Sequence, residues 1–269
     1  MFKQPPTAMG DRKKRHSIEK ARKGSSSMSA QLSRTARRFS SVIAPQLTKF
    51  DFVPSLQAYH EVMVKLIDIK TVHNAMENYI LHNATNFDPI DFEIVTSEAK
   101  NALLRAQLFA DEFVLFENQK RLVSIIFGDP DSGVDGPVVA KIRHPVSGMK
   151  MYEIVDLAHN GNWQIISSID EGSRCQIDST SNFFRRIMSM CGLTFVPKWW
   201  LVRNETNEIG KVLPQSSFWK ENALVLYWGE TVDNEVRLLI LAFAMVQMIR
   251  EGFPQLFHII KENRTRRIP

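Results

Sequence analysis

Val236-Arg237-Leu238-Leu239-Ile240-Leu241-Ala242-Phe243-Ala244-Met245-Val246-Gln247-Met248-Ile249 decides how this chain is read. Only Arg237 and Gln247 interrupt it. A helix apolar on nearly all its faces has to be surrounded, either by protein or by lipid. The uninterrupted apolar run from Leu238 to Val246 is far short of the roughly 20 residues that cross a bilayer, so the segment reads as a helix enclosed by protein. Leu238, Leu239, Leu241, Phe243 and Met245 are its expected core residues. Asp233-Asn234-Glu235 puts acidic groups at its start, where the helix dipole favours them, and Arg250, Glu251 and Pro254 close it, which sets the helix near 234–251.

What precedes it is strand-like. Runs rich in β-branched and aromatic residues lie at 92–95, 113–116, 122–127, 138–142, 151–155, 163–169, 193–196, 199–203, 209–212 and 224–228, with turn residues between them. Glu117-Asn118-Gln119-Lys120 separates two of the runs as a hairpin would. About ten short strands at this spacing indicate a sandwich or barrel. The fold class expected is mainly β with helices: a closed barrel of about ten to twelve strands around the C-terminal apolar helix. Two further helices are expected. One covers 55–81, where Leu56, Tyr59, Met63, Leu66, Ile67, Val72, Met76 and Ile80 recur at helical spacing, although the β-branched 64–72 keeps a strand open. The other is a short helix carrying Ala99, Ala102, Leu103, Ala106, Phe109 and Ala110.

Charge divides the chain. Residues 1–50 hold 12 Lys/Arg against 2 Asp/Glu, a net +10, whereas 51–269 are net −5. Residues 1–48 are Ser-, Lys- and Arg-rich with few large apolar side chains, and read as a disordered tail. The domain plan is therefore a basic tail at 1–48, a helical lead-in at 49–90, and a barrel domain at 91–269. Arg12-Lys13-Lys14-Arg15 and Arg37-Arg38 are candidate phosphate or lipid contacts, and Ser17 and Ser40 beside them are candidate phosphorylation sites for basophilic kinases. Such a tail attracts anionic phospholipid or, as the alternative, nucleic acid or an import receptor. The domain's negative balance speaks against a broadly basic nucleic-acid face.

The last third resembles a known family. Trp200-Leu201-Val202-Arg203-Asn204-Glu205-Thr206-Asn207-Glu208-Ile209-Gly210-Lys211-Val212 is similar to the strand–turn–strand unit of phospholipid scramblases. Glu221-Asn222-Ala223-Leu224-Val225-Leu226-Tyr227-Trp228 is similar to the strand before their terminal helix, and 111–127 to an early hairpin. The chain thus resembles a divergent member of the tubby C-terminal-like superfamily, which includes tubby proteins, scramblases and plant LURP-one-related proteins. The resemblance spans about 92–253. It implies a closed barrel around a hydrophobic helix, and lipid association without enzymatic activity. The chain departs from scramblases in three respects: Cys175 and Cys191 do not form a cysteine cluster, Lys220-Glu221-Asn222 offers one carboxylate where they have an acidic calcium loop, and the long proline-rich N-terminal segment of some scramblases has no counterpart in this sequence.

The chemistry-bearing residues are sparse. Asp129, Asp131 and Asp135 share a Gly-rich loop, but the twelfth position from Asp129 is Ala140, where an EF-hand needs a bidentate Glu. Weak calcium binding stays open for this loop, but a long hairpin turn calls for the same Asp, Gly and Pro, and no metal or cofactor is assigned. The chain contains no HExxH, GxSxG or GxxxxGK[ST], so no catalytic residue or small-molecule substrate is identified. Arg185-Arg186 beside Phe183-Phe184, and Lys198 beside Trp199-Trp200, join cations to aromatics as a headgroup surface would. Strand alternation would instead place the rings in the barrel core, and that is how they are read here. Two unclustered cysteines and no apolar run after the charged start suggest an intracellular protein, in the cytoplasm, at the cytoplasmic face of a membrane or in the nucleus. A protein partner is also a candidate. The sequons at Asn83, Asn204 and Asn263 then read as coincidence.

Overall fold

The computed structural model describes residues 49–98, 101–128, 138–157, 161–170, 172–180, 183–191, 196, 198–205, 207–215 and 222–267, apart from the side chains of 184–186, 189 and 267. The chain falls into two units, Met1–Leu47 and Thr48–Pro269, and everything below concerns the second. The tail positions Arg12, Lys13, Lys14, Arg15, Ser17, Arg37, Arg38 and Ser40, and the loop carboxylates Asp129, Asp131 and Asp135, lie outside the described residues.

Period-two burial builds twelve antiparallel strands: β1 (Glu61–Leu66), β2 (Ile90–Val95), β3 (Leu104–Phe109), β4 (Glu112–Glu117), β5 (Lys120–Phe127), β6 (Val138–Arg143), β7 (Lys150–Asp156), β8 (Asn162–Ser167), β9 (Ser173–Thr180), β10 (Trp199–Asn204), β11 (Asn207–Pro214) and β12 (Ala223–Trp228). Each pairs with the next in sequence, and β1 pairs with β12, so the barrel is closed and leaves no free edge. The helices are α1 (Pro54–Gln57), α2 (Ile69–His82), α3 (Phe183–Met190), α4 (Asn234–Gln247) and α5 (Pro254–Arg267), with a π-helical turn over Met248–Gly252.

The helix α4 is the core. Arg237 through Gln247 are buried without interruption, which no helix lying on a surface could achieve. Inward residues of the wall meet it: Trp163 of β8 and Trp200 of β10 both set their rings edge-on to Phe243, at centroid distances of 5.6 and 5.9 Å. On β11 the wall thins to Gly210, where an added Cβ would lie 2.8 Å from Tyr227 O and 3.1 Å from Ile240 Cδ1. Outward positions of the wall carry Lys65, Glu93, Arg105, Lys141, Glu153, Arg203 and Lys211. A wall facing acyl chains would exclude those charges.

The start of α4 is tightly held. Asp233 caps it, accepting from Val236 N at 2.7 Å, and Glu235 in the first turn accepts from Tyr152 Oη at 2.8 Å. Asn234 pairs with the backbone of Val53 in both directions, accepting from its N–H at 3.0 Å and donating to its carbonyl at 2.8 Å. Arg237, fully buried, aims its guanidinium at six backbone carbonyls: Val232, Leu56, Gln57, Tyr59, Gly229 and Glu230. It also lies 5.7 Å from the Trp228 ring. Burial pulls its pKa down, and the nearby Asp233 carboxylate opposes that.

Two expectations need correction. The helix expected over 55–81 is split: α1 and α2 are helical, but β1 lies between them and closes the barrel between β12 and β2, so the barrel takes in part of the expected 49–90 lead-in. The apolar residues at 62, 64 and 66 satisfy strand alternation, so the strand left open for 64–72 is present only in its first residues, and from Ile69 the chain is helical. Where the short helix was expected at 99–110, residues 104–109 form β3, whose Leu104, Ala106 and Leu108 point inward while Arg105 and Gln107 point out. The apolar helix expected near 234–251 is present, as α4 and the π-helical turn to Gly252. Pro254 follows it and occupies the first position of α5, where a missing N–H costs nothing. The hairpin expected around 117–120 is present, with Asn118 and Gln119 at positive φ. Of the strand expected at 193–196, only Val196 is described, and it is buried.

Candidate functional site

Antiparallel order sorts the connections onto two ends of the barrel. At the end where α4 begins they are mostly short, including the two-residue turn of the β4–β5 hairpin. At the end toward which α4 runs emerge the long connections 67–89 and 181–198, together with α5. Long connections on a rigid scaffold are where binding residues concentrate. This loop-rich end is the candidate site.

Its floor is closed by α5. Leu256, Ile259 and Ile260 are buried, and Phe257 continues an aromatic series from Phe92 through Phe113 and Phe127, ring to ring at 5.2, 5.9 and 5.8 Å. Two partly buried ion pairs fasten the π-helical turn that follows α4: Arg250 to Asp156 of β7 at 2.7 Å and Glu251 to Lys198 of the 181–198 connection at 2.9 Å. Arg250 also lies over the Trp163 ring at 4.5 Å. Lys198 is therefore engaged by a carboxylate rather than left open for phosphate.

Between α2 and α5 runs an apolar groove of about 340 Å³, lined by Met76, Tyr79, Ile80, Pro254, His258 and Ile259. Tyr79 Oη donates to Glu262, which also accepts from Arg266, and Arg266 reaches back to the Asn83 carbonyl at 3.0 Å. These donors hold the Glu262 carboxyl below its ordinary range, and the hydrogen bond to that carboxylate pushes the Tyr79 hydroxyl up. A more polar pocket of about 490 Å³ lies at the other end, lined by Glu93, Asn101, Arg105, Phe116, Asn118 and Gln119.

Exposed apolar side chains gather on the loop-rich end. Of the eleven large ones exposed among the described residues, Ile67, Ile80, Leu81, Phe183, Ile187 and Met190 sit on its two long connections. On α3 they follow helical spacing. Phe183 is 79% exposed, Ile187 41% and Met190 88%, at positions i, i+4 and i+7. Arg185 and Arg186 fall within the same helix, and Cys191, also exposed, follows it directly. The core reading thus holds for Trp200, fully buried, and fails for Phe183. The signal missed in the sequence was the spacing of Phe183, Ile187 and Met190, which suits a helix face and not a strand.

Among the described residues no group of three or more His, Cys, Asp or Glu is placed to hold a metal ion. Among them, too, no helix is long and apolar enough to cross a membrane. Leu238, Leu239, Leu241, Phe243 and Met245 all lie inside the barrel, as read from the sequence. Asn263 is buried and donates to the Thr85 carbonyl at 3.2 Å, so that sequon offers no acceptor surface. No family model, curated protein or solved structure matches the chain.

Proposed function

We propose that this chain is a divergent scramblase-like or tubby-like protein, non-enzymatic, that associates with anionic phospholipid at the cytoplasmic face of a membrane through its basic tail. The observation that carries the reading is the division of charge, +10 in residues 1–50 against −5 in the rest. Each Lys or Arg near an anionic bilayer contributes roughly 1 kcal/mol, so even a part of the tail's excess suffices for reversible attachment. A closed barrel around a buried apolar helix supports the resemblance drawn from the last third of the sequence. Because α4 is enclosed, it is not the anchor, and attachment falls to the surface and the tail.

Co-sedimentation of the full chain with vesicles of phosphatidylcholine alone, or of phosphatidylcholine with phosphatidylserine, tests the reading. Pelleting only with the acidic lipid, weakening as salt rises, is expected. Equal pelleting with both vesicles, or none with either, overturns it.

A further inference from the structure

We propose that α3 is a lipid-insertion helix: Phe183, Ile187 and Met190 enter the headgroup–acyl boundary of an anionic bilayer and orient the loop-rich end of the barrel toward it. This rests on the membrane reading above but assigns a second, separate contact to the folded domain.

Three observations bear on the occupant. First, the exposed face is apolar at three successive helical positions, although a folded domain normally buries such a stripe. Second, Arg185 and Arg186 sit in the same eight-residue helix, and the chain's N-terminal 50 residues carry net +10. Apolar residues and cations together in one short helix are the composition of a helix that lies in a membrane interface. Eight residues are far too few to span a bilayer, so the helix lies in the plane. Third, Ile67, Ile80 and Leu81 are exposed on the other long connection of the same barrel end. Apolar side chains on separate connections of one end suit a broad lipid surface.

The helix leads to a native reporter. Cys191 is exposed immediately after Met190, while Cys175 is buried in β9 with its thiol pushed up to about 12 by desolvation. An environment-sensitive fluorophore coupled through maleimide therefore marks Cys191 in the otherwise unaltered full chain. On phosphatidylcholine–phosphatidylserine vesicles its emission should shift to the blue and be quenched by lipids spin-labelled high on the acyl chain. Phe183→Ser with Met190→Ser replaces two exposed side chains and should leave the fold intact. It should weaken vesicle binding by on the order of tenfold or more, from the lost apolar burial. Chain that pellets with these vesicles while its label stays water-like, or a double variant that pellets as well as wild type, overturns the insertion helix and leaves the tail reading standing. Absence of pelleting overturns both.

Discussion

Arg237 gives the sharpest stability prediction. Its guanidinium reaches six backbone carbonyls, drawn from the 56–59 lead-in and the 229–232 turn, so one side chain ties the entering chain to the start of the central helix. In Arg237→Met a side chain of similar length keeps the volume filled, so the change isolates the lost donors from any cavity. Two of the six bonds, to Val232 O at 2.9 Å and Leu56 O at 2.9 Å, are wholly interior. A buried acceptor left without a donor costs about 1–3 kcal/mol. The partly buried acceptors recover water, and Tyr59 O keeps the Trp228 indole donor at 2.7 Å. The sum is about 4 kcal/mol, in the range for breaking a buried charged network and a large fraction of a domain's stability of about 5–15 kcal/mol. Relief from desolving the guanidinium works in the other direction, but these carbonyls have no other use for that space. Arg237→Lys should recover about half, because one ammonium with three donors cannot span the six acceptors that the planar fork does. Urea unfolding followed by tryptophan fluorescence should show a lower midpoint with an unchanged slope. Arg237→Met within about 1 kcal/mol of wild type would refute the reasoning.

Phe243→Ala removes the ring that Trp163 and Trp200 both contact edge-on, and should cost about 3–5 kcal/mol in the same urea experiment. Gly210→Ala forces a methyl against Tyr227 O and Ile240; the wall or α4 must shift, and a loss of about 1–3 kcal/mol is expected. The depressed Glu262 carboxyl contributes stability above the unfolded carboxylate pKa, and that contribution disappears as pH falls through its lower folded value. Glu262→Gln should therefore lower the melting temperature at pH 7 and differ little from wild type in strong acid. Thiol titration at pH 8 should find one reactive cysteine, Cys191, in the native chain and two in denaturant, since Cys175 is buried with its pKa near 12.

The barrel and its helix were legible because both follow from period and length. Short β-branched and aromatic runs such as 113–116 and 122–127, set apart by turn residues, and an apolar helix too short for a bilayer leave few other arrangements. The errors arose where two periods overlapped. In 55–81 the positions 63, 66 and 67 fit a helix face while 62, 64 and 66 fit a strand, and only the need of β12 and β2 for a shared neighbour decides between them. At 99–110 four alanines and Phe109 imitate a helix, yet pairing with β2 and β4 fixes 104–109 as β3. The role of Arg237 could not be read from sequence, since its six acceptors are backbone atoms, which leave no trace in side-chain pattern. The exposed face of α3 was legible in principle at 183, 187 and 190, but the adjoining Trp199-Trp200, which does lie in a strand, drew the whole region toward a strand reading.

Hydrogen exchange of the full chain, alone and on phosphatidylcholine–phosphatidylserine vesicles, tests most directly whether the apolar helix is core while the surface meets lipid. Amides of 234–247 should be among the slowest in both conditions and unchanged by vesicles, while 183–191 slow on binding. Rapid exchange across 234–247 in the free protein, or a change there on vesicle binding with none at 183–191, would contradict it.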